Sequence, residues 1–93
     1  MLEKQIERYF CNKVKRRGGL AIKLSPAGTA GMPDRLVLLP GRRIIFVEFK
    51  APGKKLRPLQ VKRAETLQKF GFKSVCIDAR WKVNVFLEEV MPQ

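Results

Sequence analysis

The sequence predicts an α/β fold, a small mixed β-sheet flanked by helices in the order α-β-β-β-α-β-α. Three patterns carry that reading. Apolar residues return every fourth position near the N-terminus, two strand-like runs flank a Pro-Gly-Arg turn, and a proline-initiated helix separates that pair from a further strand.

From Leu2 to about Arg17, Leu2, Ile6, Phe10 and Val14 line one side of an amphipathic helix with Tyr9 beside them, and Gly18-Gly19 ends it. "LAIKLS", Leu20 to Ser25, alternates as a strand does and turns Lys23 away from Ile22 and Leu24. "PAGTAGMP", Pro26 to Pro33, suits neither helix nor strand and predicts a mobile loop. "DRLVLL" (Asp34 to Leu39) and "RIIFVEFK" (Arg43 to Lys50) flank Pro40-Gly41-Arg42, a three-residue hairpin loop. After the basic loop "APGKKLR", Pro58 opens a helix whose apolar side is expected from Leu59, Ala64, Leu67 and Phe70, with Gly71 closing it. "FKSVCID" reads as another strand. Val83, Phe86, Leu87 and Val90, at i, i+3, i+4 and i+7, favour a final helix, although Val83-Asn84-Val85 also alternates.

With 93 residues, 45% of them hydrophobic and 30% charged, residues 1–93 are expected to form one domain around a single core. The formal net charge of +12 favours a polyanionic partner, above all nucleic acid. No apolar run is long enough to span a bilayer, and "MLEKQIERYF" is too charged for a secretory signal, so a cytoplasmic or nucleoid location is expected. Cys11 and Cys76 lack metal-ligand spacing and are expected to be buried thiols. The absence of histidine excludes histidine general bases and zinc-finger ligation, leaving carboxylates, lysine and a hard metal for any catalysis.

The hairpin supplies such a set. Glu48 and Lys50 share a strand face, while Ile45, Val47 and Phe49 take the other. If the chain turns about Gly41, Leu39 lies opposite Arg43 and Asp34 opposite Glu48, with Cβ atoms about 4.5–5.5 Å apart. A slip of one residue would turn Asp34 to the opposite face. Two carboxylates at that distance repel unless one is protonated or a cation lies between them, and Mg²⁺ or Mn²⁺ suits such oxygen donors. Bound there, the ion would offset charge on a phosphate and acidify a water that Lys50 could orient. Taken alone, a Glu-x-Lys pair at a strand end is an ordinary surface ion pair. Its combination with Pro33-Asp34 in a basic, histidine-free chain points to phosphodiester hydrolysis.

Pro33-Asp34 followed by Glu48-Phe49-Lys50 resembles the PD-(D/E)xK nuclease superfamily with its restriction-endonuclease-like fold. Within it, "GMPDRLVLLPGRRIIFVEFKAPGKKLRPLQ" resembles the VRR-NUC (virus-type replication-repair nuclease) family, and the similarity runs from the first helix to the last strand. The resemblance implies that Asp34, Glu48 and the backbone carbonyl of Phe49 hold the metal and that Lys50 is the catalytic lysine. It also implies a glutamate from the first helix. Periodicity leaves Glu7 and Glu3 as alternatives, Glu7 being preferred as the one further from a fraying end. Gln60 matches the family's glutamine, where it could reach a phosphate, a water or Lys50.

Stand-alone members are similar to archaeal Holliday-junction resolvases, which implies a homodimer acting on four-way junctions in DNA repair or viral replication. A two-fold protein would match a two-fold substrate. Flaps, nicked duplexes and single strands are alternative substrates, and a non-catalytic basic DNA-binding module is the alternative function. Lys23, Lys54, Lys55 and Arg57 are candidate phosphate contacts. The loop from Gly28 to Gly31 could close over a strand or simply connect two strands. Few aromatic residues lie outside the apolar pattern, which favours phosphate contacts over base stacking.

Overall fold

The computed structural model describes residues 1–24 and 28–92, and its elements follow the expected order. They are α1 (Glu3–Arg16), β1 (Leu20–Lys23), β2 (Arg35–Leu39), β3 (Arg43–Phe49), α2 (Pro58–Lys69), β4 (Lys73–Ile77) and α3 (Arg80–Val90). One sheet runs β1-β2-β3-β4, antiparallel across its first three strands and parallel between β3 and β4. A parallel pair cannot be joined by a tight turn, so α2 supplies the crossover.

The hairpin turn sets the register on which the site depends. Gly41 and Arg42 both have left-handed backbone, at φ 81° and 64°. Glycine adopts that conformation freely, whereas arginine does so at a cost of about 1–2 kcal/mol. The turn pairs Leu39 with Arg43 and, four steps on, Arg35 with Val47.

Strand alternation then divides the sheet into two unlike faces. Val37, Leu39, Ile45, Val47, Phe49 and Ile77 face α1 and α3, where Ile6, Phe10, Val14, Val83, Phe86 and Leu87 complete the core. Phe10 lies at its centre, edge-on to Phe49 at 5.2 Å between ring centroids and 5.8 Å from Phe86. The period-four pattern of α1 and the i, i+3, i+4, i+7 pattern of α3 are both buried against this face.

The other face is covered by α2 over β3 and β4. Here the structure corrects the expected apolar side of α2: Phe70 is 71% exposed and Leu59 44%. The stripe that faces inward is Gln60, Ala64 and Leu67, at i, i+4 and i+7, because a single helix over half a sheet buries only a narrow line of side chains. Cys76 is likewise exposed and Cys11 only half-buried, not two buried thiols; Cys76 sits on the edge strand β4, on the thinly covered face.

The strand expected to reach Ser25 ends at Lys23, and residues 25–27, including the start of the expected loop, lie outside the described residues. The rest of that loop is tied to α2 at two points. Arg63 Nε donates to the Ala30 carbonyl at 3.3 Å, and Gly31, at φ 81°, sits where a Cβ would come within 2.8 Å of the Leu59 carbonyl oxygen. Among the described residues, no helix is long and apolar enough to cross a membrane.

Candidate active site

One step beyond the Arg35–Val47 pair, Asp34 falls opposite Glu48. The Asp34 carbonyl accepts the Leu24 N–H at 2.9 Å, which extends the β1–β2 ladder and holds the residue in place. Its carboxylate Oδ2 accepts the Phe49 N–H at 2.8 Å. Asp34 is thereby fixed between two strands, on the face that carries Glu48.

Glu48 is only 7% exposed although it is ionisable. Its Oε2 accepts a hydrogen bond from Gln60 Nε2 at 3.1 Å and lies 3.7 Å from Lys50 Nζ. The orientation of Gln60 has a local cause. As the third residue of α2, its Oε1 accepts the Arg57 N–H at the helix start, at 2.9 Å, so its NH₂ end is turned toward Glu48. A helix-start hydrogen bond thus aims a donor into the site.

Electrostatics reinforce the geometry. Burial, followed by the nearby charge of Asp34, pushes the Glu48 carboxyl up to about 7, against the opposing pull of Lys50. Asp34 is also raised, mainly by burial, with the Phe49 N–H acting the other way. Two adjacent carboxyls that resist ionisation have an unmet demand for positive charge, which a proton or a metal ion can satisfy. Among the described residues no cluster of three or more His, Cys, Asp or Glu converges. Mg²⁺ does not require one, since it commonly binds through one or two carboxylates and keeps water or phosphate as its other ligands.

A cleft of about 360 Å³ opens beside these groups, lined by Asp34, Glu48, Lys50, Arg57 and Gln60, by residues 29–33 of the loop, and by Leu24 and Glu3. Of the residues singled out from sequence, the structure therefore brings Asp34, Glu48, Lys50, Gln60 and Arg57 together. The backbone of Phe49 runs between Glu48 and Lys50, with its ring in the core. Lys54 and Lys55 are exposed on the adjoining loop and do not line the cleft. Lys23 pairs with Arg35, which pairs with Val47, so it belongs to the α1 face of the sheet and not to that of Glu48.

The two glutamates of α1 also separate. Glu7 Oε2 accepts Arg35 Nε at 2.7 Å, with both side chains about four-fifths buried, and Arg35 Nη1 donates to the Ala21 carbonyl at 3.3 Å. Glu7 does not line the cleft, its carboxylate being paired with Arg35 on the α1 face, yet its charge still helps to raise Asp34. Glu3, one turn nearer the N-terminus, is on the cleft wall. Sequence reasoning missed Arg35 and Arg63. The position of Arg35, directly after Asp34 and therefore on the opposite face, was the available signal for the first; nothing in the sequence marked the second.

Comparison with known proteins gives consistent matches. The profile of the VRR-NUC domain matches residues 8–81, which include Asp34, Glu48, Lys50 and Gln60 and begin after Glu7. "Putative nuclease p44" of Acyrthosiphon pisum secondary endosymbiont phage 1 is 41% identical over 78 residues, covering 84% of each chain. A solved structure described as a VRR_NUC domain superposes with a TM-score of 0.85 at 33% identity, covering 92% of this chain and 94% of the other.

Proposed function

Since the chain belongs to the VRR-NUC family of nuclease domains, we propose that it is a Mg²⁺-dependent, structure-selective DNA endonuclease acting on branched DNA such as four-way junctions. The observation that carries this reading is the facing pair Asp34 and Glu48, with Glu48 pushed up to about 7, beside Lys50 in an open cleft. Asp34, Glu48 and the Phe49 carbonyl would hold the ion, with Mn²⁺ as a substitute, and Glu3 is the helix carboxylate best placed to assist. When bound, the ion would offset charge on the scissile phosphate and acidify a water.

The chain's own residues do the rest. Gln60 holds Glu48 in a fixed rotamer from the start of α2. Lys50, fixed beside Glu48 by strand alternation, orients the attacking water or stabilises charge on the phosphoryl oxygens. The water oxygen forms the new bond to phosphorus, one bridging P–O bond breaks, and the departing oxygen takes up a proton. Arg57 on the cleft wall, with Lys54 and Lys55 beyond it, would contact backbone phosphates and so bind DNA with little sequence preference.

A homodimer belongs to the same reading. Leu20, Leu38 and Ile44 share one row of the sheet and Ile22 and Leu36 share the next, on the face that α2 covers only over β3 and β4. Leu20 is 58% exposed there, on an edge strand. A second copy related by a two-fold axis would cover this surface and present two sites to a two-fold junction. The phage relative fits a setting in the cytoplasm of a bacterial host, at the nucleoid or at replicating viral DNA.

The test compares cleavage of a four-way junction, a flap and a linear duplex at fixed salt, with Mg²⁺, Mn²⁺ or EDTA. Cleavage that needs the metal and favours the junction is expected, and Asp34→Asn should abolish cutting while leaving DNA binding intact. Equal rates on the three substrates would remove the junction preference. Full activity of Asp34→Asn would remove the site.

A further inference from the structure

We infer that Trp81 is a base-stacking contact, placed at the end of a basic strip that leads from the cleft across the start of α3. This rests on the DNA-binding part of the proposed function and adds a base contact to the phosphate contacts expected from the sequence.

Trp81 is 62% exposed. The four apolar residues that bury α3 are Val83, Phe86, Leu87 and Val90, and Trp81 is not on their side of the helix. Phe70 is as exposed, but Trp81 alone combines an open indole face with a cation beside the ring, and that face suits an unstacked base.

Its position is set by the sheet. Phe49 at the end of β3 pairs with Ile77 at the end of β4, and the Lys50 N–H donates to the Ile77 carbonyl at 3.0 Å. The helix α3 starts at Arg80, three residues after Ile77, so Trp81 sits at the same end of the strands as Glu48 and Lys50, on a helix packed against the opposite face of the sheet. Asp78, the residue after Ile77, lies 2.7 Å from Lys82 Nζ, which with the nearby Gly53 N–H holds its carboxyl below the usual carboxylate range.

The charge around the ring is that of a polyanion-binding surface. Lys82 Nζ lies 5.5 Å from the Trp81 ring centroid, and Arg80 stacks over Tyr9 at 4.5 Å, where Lys13 also approaches to 5.1 Å. Lys82 and Arg80 are thus the cations nearest Trp81, and Arg57 on the cleft wall with the exposed Lys54 and Lys55 adds further positive charge on the loop that follows β3. A strand whose phosphates follow that strip would bring a base beside the indole. Unpaired or frayed bases are offered by branch points and single strands and not by an intact duplex, so stacking at Trp81 would favour branched over linear DNA.

Trp81 is the sole tryptophan of the chain, so its fluorescence reports on this contact alone. The protein in EDTA, where no cutting occurs on the proposed mechanism, is titrated with a four-way junction, a single strand and a blunt linear duplex. Quenching by the first two, and little by the third, is expected. Trp81→Ala should weaken junction binding about ten-fold with an unchanged salt slope, Trp81→Phe should restore most of the loss, and Lys82→Ala should reduce the salt slope by about one. Unchanged fluorescence at saturating junction would overturn the inference, as would unchanged affinity of Trp81→Ala. So would a shift of Trp81→Ala from dimer to monomer in sedimentation without quenching in the parent protein, since the ring would then serve a second copy. Absence of cleavage in the wild type with Mg²⁺, alongside normal quenching, would remove the nuclease reading and leave this surface standing.

Discussion

The two faces of the sheet are built from the same strands by opposite rules. Toward α1 and α3, every second residue of β3 enters a dry core in which Ile45, Val47 and Phe49 are buried among apolar neighbours. Toward α2, the intervening residues end in Glu48, buried against Gln60 and Lys50, with the cleft beside it. One face stores stability, and the other gives some of it up to hold two carboxyls in a state they resist. The contrast shows how 93 residues can accommodate a buried polar site: it is supported through the backbone of a strand whose other side is anchored.

The contrast predicts that damage to the two faces should separate stability from activity. Phe10→Ala removes the ring that touches Phe49 and Phe86 and should cost about 3–5 kcal/mol, read as a fall in the denaturation midpoint. Glu48→Gln should do the reverse, lowering cleavage about 10²–10³-fold while making the metal-free protein about 1 kcal/mol more stable near neutral pH. If Glu48→Gln proved as unstable as Phe10→Ala, the α2 face would be a structural core and the division between the faces would fail.

Much of this division was legible in the sequence. Helix α1 announced itself by Ile6, Phe10 and Val14, and α3 by Val83, Phe86, Leu87 and Val90, because each buries a full stripe and a full stripe leaves a period. The Asp34–Glu48 opposition followed from counting outward from Gly41, since a tight turn fixes register. The inward side of α2 was read correctly at Ala64 and Leu67 and misread at Leu59 and Phe70, because its first inward residue is Gln60, a polar side chain that hydrophobic patterning cannot see. The pairing of Glu7 with Arg35 was not legible, because ion pairing across 28 residues leaves no periodic mark.

A smaller effect tests the polar face through pH. Burial and Asp34 raise Glu48 from 4.5 to about 7, and Asp34 moves upward too, so the folded state holds protons that the unfolded chain releases. The stability linked to these protons is fully present below the ordinary carboxylate range and is lost as pH rises through about 7. Denaturation of the metal-free protein should therefore become easier across that window, and Mg²⁺ should offset the loss at its upper end by replacing the proton. Metal-free stability that rises with pH over the same window would mean that the carboxyls are already well compensated without an ion.

The smallest effect concerns how the two faces are joined. Arg35 lies on the α1 face immediately after Asp34, and its 2.7 Å pair with Glu7 fixes the height of α1 against the sheet, and with it the position of Glu3 over the cleft. A double-mutant cycle of Glu7→Gln and Arg35→Gln should give a coupling of about 1 kcal/mol in stability, near the upper end of exposed pairs because these side chains are largely buried. Cleavage should fall more for Glu3→Gln than for Glu7→Gln, because Glu3 lines the cleft whereas Glu7 is held by Arg35. Near-normal stability of Glu7→Gln with cleavage reduced as far as in Asp34→Asn would reverse the assignment. It would mean that Glu7 leaves Arg35 when metal binds, and that the ion pair is a resting partner for a carboxylate serving the other side of the sheet.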